Sequence, residues 1–140
     1  MPIVFDAFAM LTWLKGESGA SQVEDWLVKA EQKDIEAFVS IVNLGEVYYR
    51  LQKVGQVDAA DEFLHDIRMK AIPVKMAPAT NRRVWAAARL KARYPIAYAD
   101  GFAAALAQEM NSPLLTGDRD FEQLARDGNL QVMWLPPYRG

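Results

Sequence analysis

Apolar positions along this chain fall into two kinds of grouping. Short, mainly apolar runs of strand length occupy 1–5, 35–39, 114–115 and 130–134, and a weaker one lies at 71–74. Between them apolar residues recur every three or four positions, the spacing that gives a helix one buried face. Phe8, Leu11 and Leu14 make the first such stripe, stopped by Lys15-Gly16, and Val23, Trp26 and Leu27 make a second within a helix over 21–30. Ser40 is suited to cap a helix that carries Ile41, Leu44, Tyr48 and Leu51 and runs to about Val54, before Gly55. A helix over 57–67 shows Ala60, Phe63, Leu64 and Ile67. Pro78 is placed to open a helix with Val84, Trp85, Ala88 and Leu90, which ends at Tyr94-Pro95. An Ala-rich helix follows over 96–110, and a further helix begins with Phe121 and Leu124. Pro73 assigns the weak third strand to a sheet edge, and the tail over 135–140 is expected to be extended.

Strands that alternate with helices, through connections too long for hairpins, predict a parallel central sheet flanked by helices in an α/β fold. At 140 residues, with no repeat or linker, the expectation is one domain over 1–140. With 51% hydrophobic and 24% charged residues the chain has the balance of a globular protein. No charge-free run approaches a membrane span, and no basic leader precedes Asp6, so the expected location is cytoplasmic, with no membrane partner. The absence of cysteine fits that compartment and excludes thiolate metal sites, and a single histidine, His65, argues against a histidine-rich one. Any metal would need oxygen ligands, which favours Mg2+ or Mn2+.

The acidic residues sharpen that choice. Asp6 follows the first strand directly, and Asp118 and Asp120 lie in the turn between a late strand and its helix. In an open parallel sheet those turns open on one side, where ligands bind. Glu46 faces away from the main apolar stripe of its helix, beside Val42 and Tyr49, so that helix is expected to be covered on two faces. Asp100 stands at the start of a helix that is apolar nearly all round. A carboxylate there costs several kcal/mol unless it is paired, hydrogen-bonded or metal-bound. Structural roles compete with a site: helix caps for Asp6 and Asp118, an i,i+4 pair with Arg50 for Glu46, and the helix dipole for Asp100. Four carboxylates in one cleft raise each other's pKa, and a divalent cation removes that conflict.

Taken in order, Ile3-Val-Phe-Asp-Ala7, Ser40-Ile-Val-Asn-Leu-Gly-Glu-Val-Tyr-Tyr-Arg50, Tyr98-Ala-Asp-Gly-Phe-Ala-Ala-Ala-Leu-Ala107 and Leu115-Thr-Gly-Asp-Arg-Asp-Phe121 resemble the PIN-domain family, specifically its VapC-type toxin ribonucleases. The resemblance spans the chain and implies a three-layer α/β/α fold. It implies that Asp6, Glu46, Asp100 and Asp118 are catalytic acids that hold Mg2+ or Mn2+, supported by Thr116 and Asp120. The implied activity is endoribonuclease cleavage by a metal-activated water, in the toxin of a type II toxin–antitoxin pair. The implied partners are RNA, a VapB-like antitoxin and a second copy of the chain as a homodimer. Two positions depart from the family pattern: Phe8, where a small polar residue is usual, and Ala97, where Ser is common. Both remove hydrogen bonds that would support the metal ligands.

Net charge is −2, which argues against a generally basic nucleic-acid binder. Yet no acid falls between Asp66 and Asp100, while half of the 16 Lys and Arg do. Within that segment Arg82, Arg83, Arg89, Lys91 and Arg93 are candidates to follow an RNA backbone, against the alternative of a solvated helix face. A second class of function stays open: a PIN-fold module that binds RNA or protein with little or no catalysis.

Overall fold

The computed structural model describes residues 1–136. Five strands form one sheet: β1 Pro2–Phe5, β2 Glu36–Ser40, β3 Lys75–Ala77, β4 Leu114–Thr116 and β5 Val132–Trp134. All pairings are parallel, in the order β3-β2-β1-β4-β5. The helices are α1 Ala7–Lys15, α2 Ala20–Glu31, α3 Ile41–Lys53, α4 Val57–Arg68, α5 Asn81–Arg93, α6 Tyr98–Glu109 and α7 Glu122–Arg126. A 3-10 turn, Arg119–Phe121, leads into α7.

Side-chain alternation along the strands separates two cores. Ile3, Phe5, Ala37, Val39 and Leu115 face one way, beneath α1 to α4. Val4 and Leu114 face the other way, against α5, α6 and α7. Both sheet faces are therefore covered, as an all-parallel sheet requires, and the expected three-layer α/β/α fold is what the chain adopts.

Several local expectations need correction. The third strand is at 75–77 rather than 71–74, because Pro73 cannot donate to a ladder; it is an edge strand nonetheless. Pro78 stays outside α5, which is capped by Thr80 through its Oγ1 and the Arg83 N–H at 3.3 Å. The final strand is shorter than expected, Val132–Trp134. On α3 the buried residues are Asn43, Leu44, Val47 and Leu51, whereas Ile41 and Tyr49 are exposed, so the outer side of that helix is less covered than its sequence suggests. The expected extended tail falls mostly on residues 137–140, outside the described residues.

Register is what positions the site. Phe5 stands beside Val39 on one side and Leu115 on the other, so the residues that follow, Asp6, Ser40 and Thr116, emerge abreast at the carboxyl edge. Strand order reverses between β1 and β4, and the crevice above such a switch point is where open parallel sheets bind ligands.

A candidate metal centre at the switch point

Asp6 leaves β1 in an extended conformation and caps α1, its Oδ1 accepting from the Ala9 N–H at 2.8 Å. Its other oxygen accepts from the Thr116 hydroxyl at 2.5 Å, a contact across the sheet between residues 110 positions apart in sequence. Thr116 Oγ1 in turn accepts the Asp118 N–H at 3.0 Å, and Asp118 Oδ1 accepts the Asp120 N–H at 2.9 Å. One buried hydroxyl thus ties the end of β1 to the turn after β4. The resemblance implied a supporting role for Thr116, and its hydroxyl lies between Asp6 and the backbone of Asp118.

Asp100 lies in the first turn of α6, where its Oδ2 accepts the Ala97 N–H at 3.3 Å. The dipole of that helix therefore relieves part of the cost of its charge. Behind it Gly101 to Ala107 are all buried. Gly101 allows α5 to approach, since a Cβ there would stand 2.9 Å from the Ala87 carbonyl oxygen. Asn43 on α3 fixes the start of α6 by donating to the Ala99 carbonyl at 3.0 Å. Among the described residues, Asn43 Oδ1 is a buried side-chain oxygen without a partner. Sequence reading missed this residue; the signal was a polar side chain among the buried positions of α3.

Glu46 has two kinds of neighbour. It forms the i,i+4 pair with Arg50, Nε to Oε2 at 2.9 Å, and it also lines the cleft. That cleft, of about 230 Å3, brings together Asp6, Glu46, Asp100 and Asp118. Carboxylate oxygens of Asp100, Asp118 and Asp120 all lie within 4.8 Å of one another.

The electrostatics follow from crowding in a dry place. Asp6 is pushed up to about 8, first by burial, opposed by the bonds from Thr116 and Ala9, and further by repulsion from Asp100 and Asp118. Asp100 is pushed up to about 7, chiefly by burial, then by the charges of Asp118 and Glu46. Burial also raises Asp118, while the Asp120 N–H and the Arg50 guanidinium act against it. Convergent all-oxygen donors with raised pKa values are what a hard divalent cation would relieve, so the residues fit such an ion.

The departure at Phe8 has a visible consequence. Its ring covers Gly117, where a Cβ would stand 2.4 Å from Cε1 and 2.9 Å from the Pro136 carbonyl oxygen, so a larger residue there would have to displace both the ring and the backbone. Ala97 supplies no side-chain cap to α6.

The chain matches the PIN domain family over residues 3–127. It is a PIN-domain protein. No curated protein sequence matches it. Among solved structures it is similar to VapBC2 from Rickettsia felis bound to a DNA fragment from their promoter, with TM-score 0.72 and 17% identity, covering 95% of this chain and 98% of that one. It is also similar to the VapC20 sarcin-ricin loop cleaving toxin of Mycobacterium tuberculosis, with TM-score 0.67 and 17% identity over 86% and 93%. A third similar structure is FitAcB from Neisseria gonorrhoeae, with TM-score 0.67, 18% identity and coverage of 94% and 96%. At such identities the similarity is one of PIN-domain architecture.

The basic candidates do not converge in the same way. Arg83 is committed to Glu109, at 2.9 and 3.1 Å, and to the Pro78 carbonyl at 3.0 Å. Glu109 ends the helix that Asp100 begins, about 14 Å away along its axis. Arg82 lies at this far end as well. Arg89, Lys91 and Arg93 are exposed at the end of α5 that leads into α6. His65 is exposed on α4 and does not line the cleft.

Proposed function

We propose that this PIN domain is a metal-dependent endoribonuclease, the toxin of a VapBC-type pair. The observation that carries this reading is the convergence of Asp6, Glu46, Asp100 and Asp118, from four separate elements, on one cleft at the switch point. Asp6, Asp100 and Asp118 would hold Mg2+ or Mn2+, with Glu46 and Asp120 completing the oxygen donors. A divalent ion bound there supplies a water of lowered pKa and neutralises charge gathering on a phosphate under attack. Thr116 holds the Asp6 carboxylate in place and orders the backbone that carries Asp118. Asn43 fixes the helix start that carries Asp100.

Arg82, Arg89, Lys91 and Arg93 are the outer contacts we assign to the RNA backbone, with Arg83 serving α6 instead. The partners we assign are a VapB-like antitoxin and a second copy of the chain, in the cytoplasm. Among the described residues no helix is long and apolar enough to cross a membrane. The similar structures include a toxin–antitoxin complex from Klebsiella pneumoniae, which supports the antitoxin. A groove separate from the cleft, of about 1410 Å3 and lined by Ile35, Leu44, Phe63, Ile67 and Ile72, offers that partner apolar surface. Exposed Tyr49, Trp85 and Tyr98 support self-association.

A binding module without catalysis has one observation in its favour: Asp6 and Asp118 both cap the turns that follow them. A calorimetric titration separates the readings. The nuclease requires saturable Mg2+ or Mn2+ binding that is lost in Asp100→Ala. Caps require none, and an absence of binding by the unaltered chain would favour the module.

A further inference from the structure

A cleft made of carboxylates repels the polyanion it is proposed to cut, and a bound ion offsets only part of that charge. Cations close to the acids are therefore needed, and the cleft contains two. One wall is a single face of α1, with Phe8, Leu11, Thr12 and Lys15 at i, i+3, i+4 and i+7. On α3 the lining residues are Glu46 and, one turn on, Arg50. The α1 wall starts at the acid end, beside Asp6, and reaches Lys15 about 10 Å farther along the helix.

We propose that Lys15 and Arg50 hold phosphates of the RNA strand next to the bond to be cut, placing the chain of nucleotides along the α1–α3 wall. The inference rests on the ribonuclease reading above and says which residues bind its substrate. Arg50 is equipped for the task. Among the described residues its hydrogen bond is from Nε to Glu46, and the residue lines the cleft, so its remaining guanidinium donors are available to a phosphate, which a guanidinium can bind through two oxygens. Arg50 also draws Asp118 downward, so its charge is felt inside the acid cluster. Lys15 is exposed and has no ion pair among the described residues, and Glu17 beside it offsets part of its charge. Leu11 and Phe8, between Asp6 and Lys15 on the α1 wall, give apolar surface against which a base can lie.

The competing account is structural. Lys15 would serve the α1 dipole, and Arg50 would do no more than orient Glu46.

The two accounts part in steady-state cleavage of a random-sequence single-stranded RNA pool across a salt series. The variants are Lys15→Gln, Arg50→Gln, their double, Arg50→Lys and, as a control outside the cleft, Lys33→Gln. Mg2+ affinity is measured separately by calorimetry, and thermal melts check folding. We expect the double variant to raise KM roughly 10-fold with kcat within a few fold of the unaltered chain. The slope of log(kcat/KM) against log salt should become shallower by about 0.7 for each lost phosphate contact. Mg2+ affinity should be unchanged or higher in Arg50→Gln, since Glu46 loses a competing cation. Arg50→Lys should keep the salt slope, and Lys33→Gln should match the unaltered chain.

An unchanged salt slope and KM in the double variant would overturn the proposal while leaving the ribonuclease standing. Loss of Mg2+ binding and of kcat in Arg50→Gln, with KM constant, would show that Arg50 only orients Glu46. If the unaltered chain cuts no RNA in Mg2+ or Mn2+, the ribonuclease reading itself fails, and this inference fails with it.

Discussion

The acid cleft and the exposed face of α5 are the two concentrations of charge in this protein, and they are built in opposite ways. The cleft gathers carboxylates from the end of β1, from α3, from the start of α6 and from the turn after β4. The α5 cations are near neighbours in sequence, and a helix scatters such neighbours around its axis. At 3.6 residues per turn, Arg82, Arg89 and Arg93 share a face with Trp85, Lys91 stands about half a turn away, and Arg83 is turned toward α6. Charges that arise together along the chain stay in solvent. Those brought together by strand register are desolvated, and only they carry large shifts. That difference is why the chemistry is proposed for the cleft, while the helix face is suited to long-range attraction.

The largest effect that bears on this contrast is Asp100→Asn. Cleavage should fall by at least about 100-fold, beyond the loss typical of residues that merely support a metal ligand. The metal-free melting temperature should stay level or rise, because one repelling charge is gone. A large drop in metal-free stability would instead make Asp100 a structural cap, and the distinction between the two regions would collapse.

The second effect is on stability against pH, read by calorimetry without metal. The folded chain keeps protons on Asp6 up to about 8 and on Asp100 up to about 7. The unfolded chain releases them near pH 4. More protons are then bound in the folded state, so stability is greatest below about pH 4 from these groups and falls as pH rises toward about 8. The melting temperature should be at least about 3 °C lower at roughly pH 8 than at roughly pH 5. Asp6→Asn should flatten that slope, and saturating Mg2+ should reverse it, because ligands bind metal deprotonated. A flat profile in the unaltered chain would mean the cleft is wetter than its geometry indicates.

Much of the cleft was legible because parallel α/β topology converts sequence position into spatial position. An acid in the turn after a strand emerges at the carboxyl edge, and Asp6 and Asp118 do. Asp100 announced itself by interrupting an apolar helix. Asn43 was not legible as a contact, since its partner is a backbone carbonyl 56 residues away. The same holds for Phe8, whose ring meets Gly117 only once β1 and β4 are paired. The fold was read at the level of layers and order. Its edges were not, because short edge strands such as β3 are set by which N–H groups can join a ladder more than by hydrophobicity. The coverage of α3 was misjudged for a related reason: a wheel gives directions, and neighbours decide what those directions meet.

The smallest effect lies on the other side of the comparison. Replacing Arg82, Arg89 and Arg93 together by Gln should weaken RNA binding less than about 10-fold at moderate salt and leave kcat unchanged, with a shallower salt dependence. A collapse of kcat would place α5 in the chemistry and erase the contrast.

The most direct test of the central claim, that the clustered acids hydrolyse RNA with a divalent ion, is the chemistry of the cut ends. A metal-assisted water attacks phosphorus without using the 2′-hydroxyl, whereas metal-free ribonuclease chemistry needs an acid–base pair, and His65 is exposed on α4 outside the cleft. Purified protein should yield 5′-phosphate and 3′-hydroxyl ends in Mg2+ or Mn2+ and stop in EDTA, with His65→Ala within a few fold of the unaltered rate. Ends bearing 2′,3′-cyclic phosphate, or equal cutting in chelator, would contradict the account and return Asp6, Glu46, Asp100 and Asp118 to their structural roles.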